Sequence, residues 1–109
     1  IWDGSILGYA EGREGIREFF GAASNLVPFA VHQVSNPLIE INGDTATGQW
    51  FLWQPMVLGE QALWLSAIYE DSYVRVDGQW LYQHLKLNIR MLTPFEEGPA
   101  KTRIIEVDL

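Results

Sequence analysis

A histidine, an amide and a proline lie close together at the start of a predicted long β-hairpin, in His32-Gln-Val-Ser-Asn36-Pro37. Histidine is the side chain whose ordinary pKa lies nearest neutrality, so a histidine that faces inward can exchange protons with a bound molecule. A histidine on the outside of a sheet is only a polar surface residue. The function of this stretch therefore depends on which way its strand faces.

The composition limits the classes of function. The chain has 109 residues, 48% of them hydrophobic, which is enough apolar material for one domain with one core. Its formal net charge of −7 disfavours nucleic acid and acidic membrane surfaces, because both prefer basic partners. Two histidines and no cysteine form no metal-binding pattern, and we expect no metal and no cofactor. No membrane span or signal peptide is visible, and we expect a cytoplasmic location.

The hydrophobic pattern predicts one helix followed by long strands. Ile16, Phe19, Phe20 and Ala23 stand at i, i+3, i+4 and i+7, which predicts one apolar stripe on a helix over Gly12–Ala23. The period then changes to two, as in antiparallel strands. We expect strands over residues 29–42, 44–56, 62–76 and 79–92, with a further strand at 102–107.

The first glycine turn indicates which residues of its hairpin share a face. With Asn42-Gly43 as a two-residue turn, Ile41 pairs with Asp44. His32 then needs one extra residue, a bulge at Asn36-Pro37, to lie on the face of the isoleucines. With that bulge, the expected concave face carries His32, Val34, Asn36, Ile39, Ile41, Ala46, Gly48, Trp50, Leu52 and Gln54.

The second turn, Asp77-Gly78, pairs Val76 with Gln79 and divides the last strand into two rows. The aliphatic row is the better candidate for the concave side, and the aromatic row for the outside. The aliphatic row is Leu81, Gln83, Leu85, Leu87 and Ile89, and the other row carries Trp80, Tyr82, His84, Lys86 and Arg90.

Three stretches carry a resemblance to a known family. They are Gly12-Arg-Glu-Gly-Ile16-Arg-Glu-Phe-Phe20, His32-x-x-x-Asn36-Pro37-x-Ile39-x-Ile41-x-Gly43-Asp44-x-Ala46-x-Gly48-x-Trp50 and Tyr69-x-Asp71-x-Tyr73-Val-Arg-Val-Asp77-Gly78-x-Trp80. Their order and spacing resemble the SnoaL-like (polyketide cyclase-like) domains of the nuclear transport factor 2-like superfamily. The resemblance implies an α+β fold, in which a cone-shaped, curved antiparallel sheet wraps around helices and encloses a deep apolar pocket.

The resemblance also bears on domain organisation. It covers most of the chain, so we expect residues 1–109 to form a single SnoaL-like domain. The chain begins at Ile1-Trp2-Asp3 without a methionine. We therefore expect the N-terminal helices of such a domain to be missing from this sequence.

Within the superfamily, the pattern is most similar to the scytalone and bile-acid dehydratase group. In that group an inward histidine on this strand is the general acid or base, which implies a catalytic role for His32. Positions on the next strand help to bind substrate, and they fall here on Trp50, Leu52 and Gln54. The group also uses a tyrosine and an aspartate from N-terminal helices, which this sequence lacks.

Each further candidate has a functional and a structural interpretation. Asn36 would hydrogen-bond a ligand oxygen, or it would only shape the bulge. Gln54 would bind ligand or simply end a strand. Trp50 and Trp64 would form pocket walls, or they would be ordinary core. Tyr69 and Asp71 would make an acid/base pair. They alternate in step with Arg75 along the strand, however, which favours a position on the outer face for both. The proposed substrate-binding set is Asn36, Trp50, Gln54, Trp64, Leu85 and Leu87.

Three functions remain open from the sequence. The first is a cofactor-independent lyase or isomerase, such as a dehydratase, that acts on a small hydrophobic, aromatic or polyketide-like molecule with His32 as its acid/base. The second is a non-catalytic ligand-binding or assembly module. The third is the small structural subunit of an aromatic-ring dioxygenase, which shares this fold. We also expect a homodimer or higher oligomer, because Trp80, Tyr82, His84, Phe51 and Trp53 would lie on the outer sheet face.

Overall fold

The alternating pattern folds into one curled sheet of long antiparallel strands, as predicted. A computed structural model describes residues 1–107 of the chain. In chain order its elements are β1 (Trp2–Asp3), a 3₁₀ turn (Ser5–Leu7), β2 (Tyr9–Ala10), α1 (Gly12–Ala23), β3 (Phe29–Ala30), β4 (Gln33–Asn42), β5 (Thr45–Leu58), β6 (Gln61–Val76) and β7 (Gln79–Pro94).

The strands form one half-barrel sheet in the order β2-β1-β7-β6-β5, and β3 and β4 both pair with β5 at its edge. Every pair is antiparallel except β1 with β7. Strands of 14 to 16 residues carry a large right-handed twist, which is why the sheet curls rather than staying flat. The predicted α+β fold, in which a curved antiparallel sheet packs around a helix, is confirmed.

Helix α1 has the predicted bounds and lies across one end of the half-barrel. Near its middle, the rings of Phe19 and Phe20 stand 4.8 and 5.0 Å from the ring of Trp2 in β1. Just after it, the Leu26 carbonyl accepts a hydrogen bond from Gly59 N–H in the β5–β6 turn. The helix therefore connects the β1 edge of the sheet to the β5–β6 turn.

One face of the sheet, called here the inner face, carries the core. It consists of the even-numbered residues of β5 and the odd-numbered residues of β6, which the ladder pairs directly. Val27 and Ala30 pack against this cluster from the segment that follows the helix. The buried cluster is Leu52, Met56, Leu63, Leu65, Ala67, Leu87 and Leu92.

The predicted bulge in β4 is confirmed. Ser35 pairs with Phe51 and Leu38 with Gln49, so Asn36 and Pro37 together oppose a single residue of β5. Asn36 has φ of +54°, a left-handed conformation that asparagine tolerates better than most side chains.

The first hairpin differs by two residues from the predicted register. Gly43 and Asp44 form its loop, because Asn42 pairs with Thr45, and Ile41 therefore pairs with Ala46 rather than Asp44. Gly43 takes the positive φ of +62° that the first central position of such a turn requires. A shift of two residues leaves each side chain on its predicted face.

The predicted strand over residues 29–42 is interrupted at Val31 and His32. Val31 N–H donates to the Pro55 carbonyl across the gap. Pro55 has no N–H of its own, so the ladder loses a donor at this point. The predicted strand at 102–107 was also wrong, because among residues 1–107 this segment shows only one bridge, between Ile104 and Leu92.

The observed pairing of β7 corrects the two rows of side chains predicted for it. Ser72 pairs with His84 but Tyr73 pairs with Tyr82, so Gln83 is an extra residue in β7. This bulge reverses the faces on either side of it. Trp80 and Tyr82 therefore share the inner face with Leu85, Leu87 and Ile89, whereas His84 and Leu81 lie on the opposite, outer face.

Candidate functional site

The inner face combines an apolar surface with a small number of polar side chains. Leu52 and Leu87 are buried on it, and Val34 and Ile39 extend it onto β4 with about half of their surface exposed. Gln54 and Asp71 are the polar side chains buried on this face, at 7% and 6% exposure.

His32 lies between β3 and β4, where the pairing of this edge with β5 is interrupted. Val31 is held beside Pro55, and Gln33 pairs with Trp53, so the backbone of His32 lies beside Gln54. The imidazole is exposed to solvent. A titratable side chain therefore stands at the edge of the inner face, next to a buried amide.

Gln54 and Asn36 occupy different environments. The Gln54 amide Nε2 lies 3.5 Å from the Met56 sulfur, a weak acceptor, so its donors have no strong partner among the described residues. Asn36 is exposed, and its backbone conformation serves the bulge. Gln54 is therefore the better placed of the two amides to meet a ligand on the inner face.

Three polar side chains further along the inner face form a hydrogen-bonded chain. Trp50 Nε1 donates to the Tyr73 hydroxyl at 3.0 Å, and that hydroxyl donates to Asp71 Oδ2 at 2.8 Å. The Tyr73 ring lies over Gly48, where an added Cβ would come within 2.6 Å of the phenol oxygen. The absence of a side chain at Gly48 thus leaves room for the Tyr73 ring and its two hydrogen bonds.

Burial shifts the pKa values of the ionisable side chains around this hydrogen-bonded group. Burial raises the pKa of Asp71, although the hydrogen bond from Tyr73 works in the opposite direction. Burial is also the main reason why the pKa values of Tyr69 and Tyr73 rise to about 12, and the Asp71 charge adds to both. Asp71 Oδ1 is buried and has no hydrogen-bond partner among the described residues. The second oxygen of this carboxyl group is therefore unsatisfied.

The position of Tyr69 and Asp71 corrects the expectation that they lie outside. Their partners on β5 are Trp50 and Gly48, both on the inner face. The Gly59-Glu60 turn contained the missing information, since a two-residue turn there pairs Leu58 with Gln61 and fixes the whole β5–β6 register. Tyr73 was missed as a site residue for the same reason.

The other predicted lining residues fall on both faces. Leu85 and Leu87 lie on the inner face as partners of Asp71 and Tyr69. Trp64 pairs with Pro55 and so lies on the outer face, away from Trp50. Its ring packs at 5.7 Å from Trp53 and 5.0 Å from Phe95 instead. The expectation that Trp64 and Trp50 line one pocket is thus corrected.

Two further observations concern the described part of the chain. Within residues 1–107 no three side chains of His, Cys, Asp or Glu come together as a metal site requires. The helix in the same part of the chain is too short and too polar to cross a membrane.

Comparison with known families gives one match. The family model of the SnoaL-like domain matches residues 2–86, which include the helix, the bulged strand and the Asp71–Tyr73 segment. No curated protein matches the chain significantly.

Solved structures share the fold. The crystal structure of LinA matches with a TM-score of 0.79 at 22% identity, over 86% of this chain and 67% of that one. A type 2 LinA, described as a hexachlorocyclohexane dehydrochlorinase, has a TM-score of 0.78 at 23% identity, over 86% and 66% of the two chains. A candidate scytalone dehydratase from Novosphingobium aromaticivorans has a TM-score of 0.75 at 19% identity, over 99% and 73%. The chain thus spans about two thirds of the LinA structures and has their fold, which is the fold of a nuclear transport factor 2-like cone.

Proposed function

Since the chain belongs to the SnoaL-like domain family, we propose that it is a cofactor-independent lyase for a small hydrophobic molecule, with His32 as the base. The observation that carries the proposal is the position of His32 beside Gln54, at the edge of an apolar face. Apolar walls with few polar groups are typical of sites for small molecules. Structural neighbours that are named as a dehydrochlorinase and a candidate dehydratase support elimination as the reaction type.

In the proposed reaction, the imidazole of His32 takes a proton from a carbon atom of the substrate. The electron pair of that C–H bond becomes a carbon–carbon double bond. The bond to a leaving group on the adjacent carbon breaks. The group departs as chloride, or as water when a leaving hydroxyl takes up the proton that the His32 imidazole removed. A histidine suits this task because its ordinary pKa lies near the working pH. Gln54 would bind a polar substituent of the substrate next to the base.

The test uses the two compounds that the structural neighbours suggest. The protein is incubated with hexachlorocyclohexane, with chloride release measured, and with scytalone, with loss of water followed by mass spectrometry. His32→Ala is expected to lower the rate of the accepted compound by about 10²–10⁴-fold, the usual contribution of an acid or base.

The matched control is the other histidine of the chain. His84 lies on the outer face, and His84→Gln should keep the rate of the unmodified protein. An unchanged rate in His32→Ala would remove this residue from the mechanism. Absence of turnover with both compounds would instead favour the ligand-binding module.

We also propose that copies of the chain associate through the outer face. Phe51, Trp53 and Phe95 expose 46%, 37% and 58% of their surface there, next to the half-buried Trp64. Exposed aromatic groups that lie close together usually mark an interaction site. A two-fold pair would place the same patch on both subunits and should bury on the order of 1,200 Å² or more.

Sedimentation at micromolar concentration tests the association. The unmodified protein should sediment as a dimer or larger, and Trp53→Arg should shift it to a monomer. Ile41→Arg is the matched control, because Ile41 is 68% exposed but lies on the inner face. A monomeric unmodified protein would contradict the proposal.

A further inference from the structure

The Asp71, Tyr73 and Trp50 side chains form a second polar group on the inner face, separate from His32. Gly48, which lies under the Tyr73 ring, is six residues from Gln54 along β5. At about 3.3 Å per residue, the two places are roughly 20 Å apart along the strand. Tyr73 is therefore too far from His32 for one small molecule to contact both side chains, and the two places are separate binding positions on this face.

The hydrogen-bond chain runs in one direction only. An indole N–H can donate but not accept, so Trp50 must donate to the Tyr73 oxygen. An ionised carboxylate can accept but not donate, so Tyr73 must give its own proton to Asp71. The phenol oxygen is left with acceptor capacity and no proton to offer.

The surroundings of this oxygen suit a flat ring. Tyr82 packs with its ring centroid 5.2 Å from that of Tyr73 and is 66% exposed. Tyr69 lies between Trp50 and Leu87 in the same row of the sheet. Aromatic rings prefer offset or edge-to-face contact with other rings, so these side chains offer such contacts on two sides.

We propose that Tyr73, fixed by Asp71 and Trp50, accepts a hydrogen bond from a hydroxyl group on a planar ligand. The inference rests on the proposed function only in taking the inner face as the ligand-binding surface. It assigns Tyr73 to ligand binding and Asp71 to positioning. It also fixes the direction of the hydrogen bond, since this position accepts from a ligand hydroxyl and offers no proton to an ether or carbonyl oxygen in the same place.

Equilibrium dialysis with two matched probes at pH 7.5 tests the direction of this hydrogen bond. 2-Naphthol can donate a hydrogen bond, whereas 2-methoxynaphthalene has a similar ring and only an acceptor oxygen. The unmodified protein should bind 2-naphthol roughly 3- to 10-fold more tightly, the usual size of one neutral hydrogen bond. Tyr73→Phe should abolish this preference and leave the affinity for 2-methoxynaphthalene unchanged.

Three further variants separate a positioning role from a structural one. Asp71→Asn should reduce the 2-naphthol preference without changing the affinity for 2-methoxynaphthalene. An amide can donate to the phenol oxygen as well as accept from it, so the direction of this hydrogen bond is no longer fixed. Tyr82→Phe keeps the ring and should keep the preference. His32→Ala should also keep the preference while it abolishes turnover, so failure of the lyase proposal is distinguishable from failure of this one.

Two results would overturn the inference. The first is a 2-naphthol preference that persists in Tyr73→Phe, which would show that another group accepts the hydroxyl. The second is equal affinity of the unmodified protein for the two probes, including no measurable binding of either.

Discussion

The two polar regions of the inner face are built in different ways. Asp71 is 6% exposed, and its region is held by hydrogen bonds of 2.8 and 3.0 Å through Tyr73 to Trp50. His32 is exposed and lies between β3 and β4, where their pairing with β5 is interrupted near Pro55. One region is ordered by its own contacts, whereas the other is defined mainly by its place beside Gln54.

The difference suggests a division of labour. A group that is fixed before binding loses little freedom when a ligand arrives, so it suits recognition. A base needs to reach a proton and tolerates a looser setting in the free protein, because catalytic contacts often tighten only with substrate. The Asp71 region should therefore respond to changes in packing and the His32 region to changes in chemistry.

The largest expected effect on this comparison comes from filling the space under Tyr73. In Gly48→Ala the new methyl group would meet the phenol oxygen at about 2.6 Å, so the ring would have to move and the bond to Trp50 would be lost. We expect the free energy of unfolding to fall by about 1–3 kcal/mol, the usual cost of overpacking. Denaturant titration measures this change.

A glycine in open space provides the control for that experiment. Apart from the adjoining backbone of α1, no atom of residues 1–107 lies within 4 Å of a Cβ added at Gly21, so Gly21→Ala should stabilise the protein by up to about 1 kcal/mol through helix propensity. A neutral Gly48→Ala would show that the Asp71 region is not tightly packed, and the contrast between the two regions would disappear.

A smaller effect is expected from pH. Because burial raises the pKa of Asp71, the folded state holds this proton to a higher pH than the unfolded state, where the value is near 3.9. The folded state then binds more protons in this window, so the free energy of unfolding falls as pH rises from about 4 through the raised pKa. Unfolding titrations at a series of pH values measure the slope.

Two variants assign that slope. Asp71→Asn cannot titrate and should lose this contribution to the pH dependence. Glu70→Gln removes the neighbouring exposed carboxyl group on the outer face and should leave the contribution of Asp71 to the pH dependence unchanged. A slope that survives in Asp71→Asn would show that another group is responsible.

The sequence predicted the fold and the β4 side of the site for identifiable reasons. The stripe from Ile16 to Ala23 has one periodicity that only a helix satisfies, and the helix has the predicted bounds. Asn36-Pro37 combines a residue that tolerates positive φ with one that cannot donate to a ladder, and the bulge lies there. Local chemistry determines both features, so the sequence displays them.

The Asp71 side of the site could not be predicted in the same way. The face on which a side chain lies depends on the alternation along its whole strand, and one extra residue reverses it. The extra residue in β7 is Gln83, and no glycine or proline next to it indicates a bulge in the sequence. Trp80 and Tyr82 were therefore assigned to the wrong face. The Gly59-Glu60 turn did indicate the inner position of Asp71, but only when it is interpreted as a two-residue hairpin loop.

The most direct test of the central claim, that ligands bind on the inner face, uses the five tryptophan indole N–H signals of the chain in a ¹⁵N NMR titration with 2-naphthol. Trp50 lies on the inner face, and Trp53 and Trp64 on the outer face, so they report on the two faces separately. Trp50→Phe identifies its own signal. We predict a saturable shift of the Trp50 signal, with the Trp53 and Trp64 signals unchanged. A shift of the Trp53 or Trp64 signal with Trp50 unaffected would contradict it.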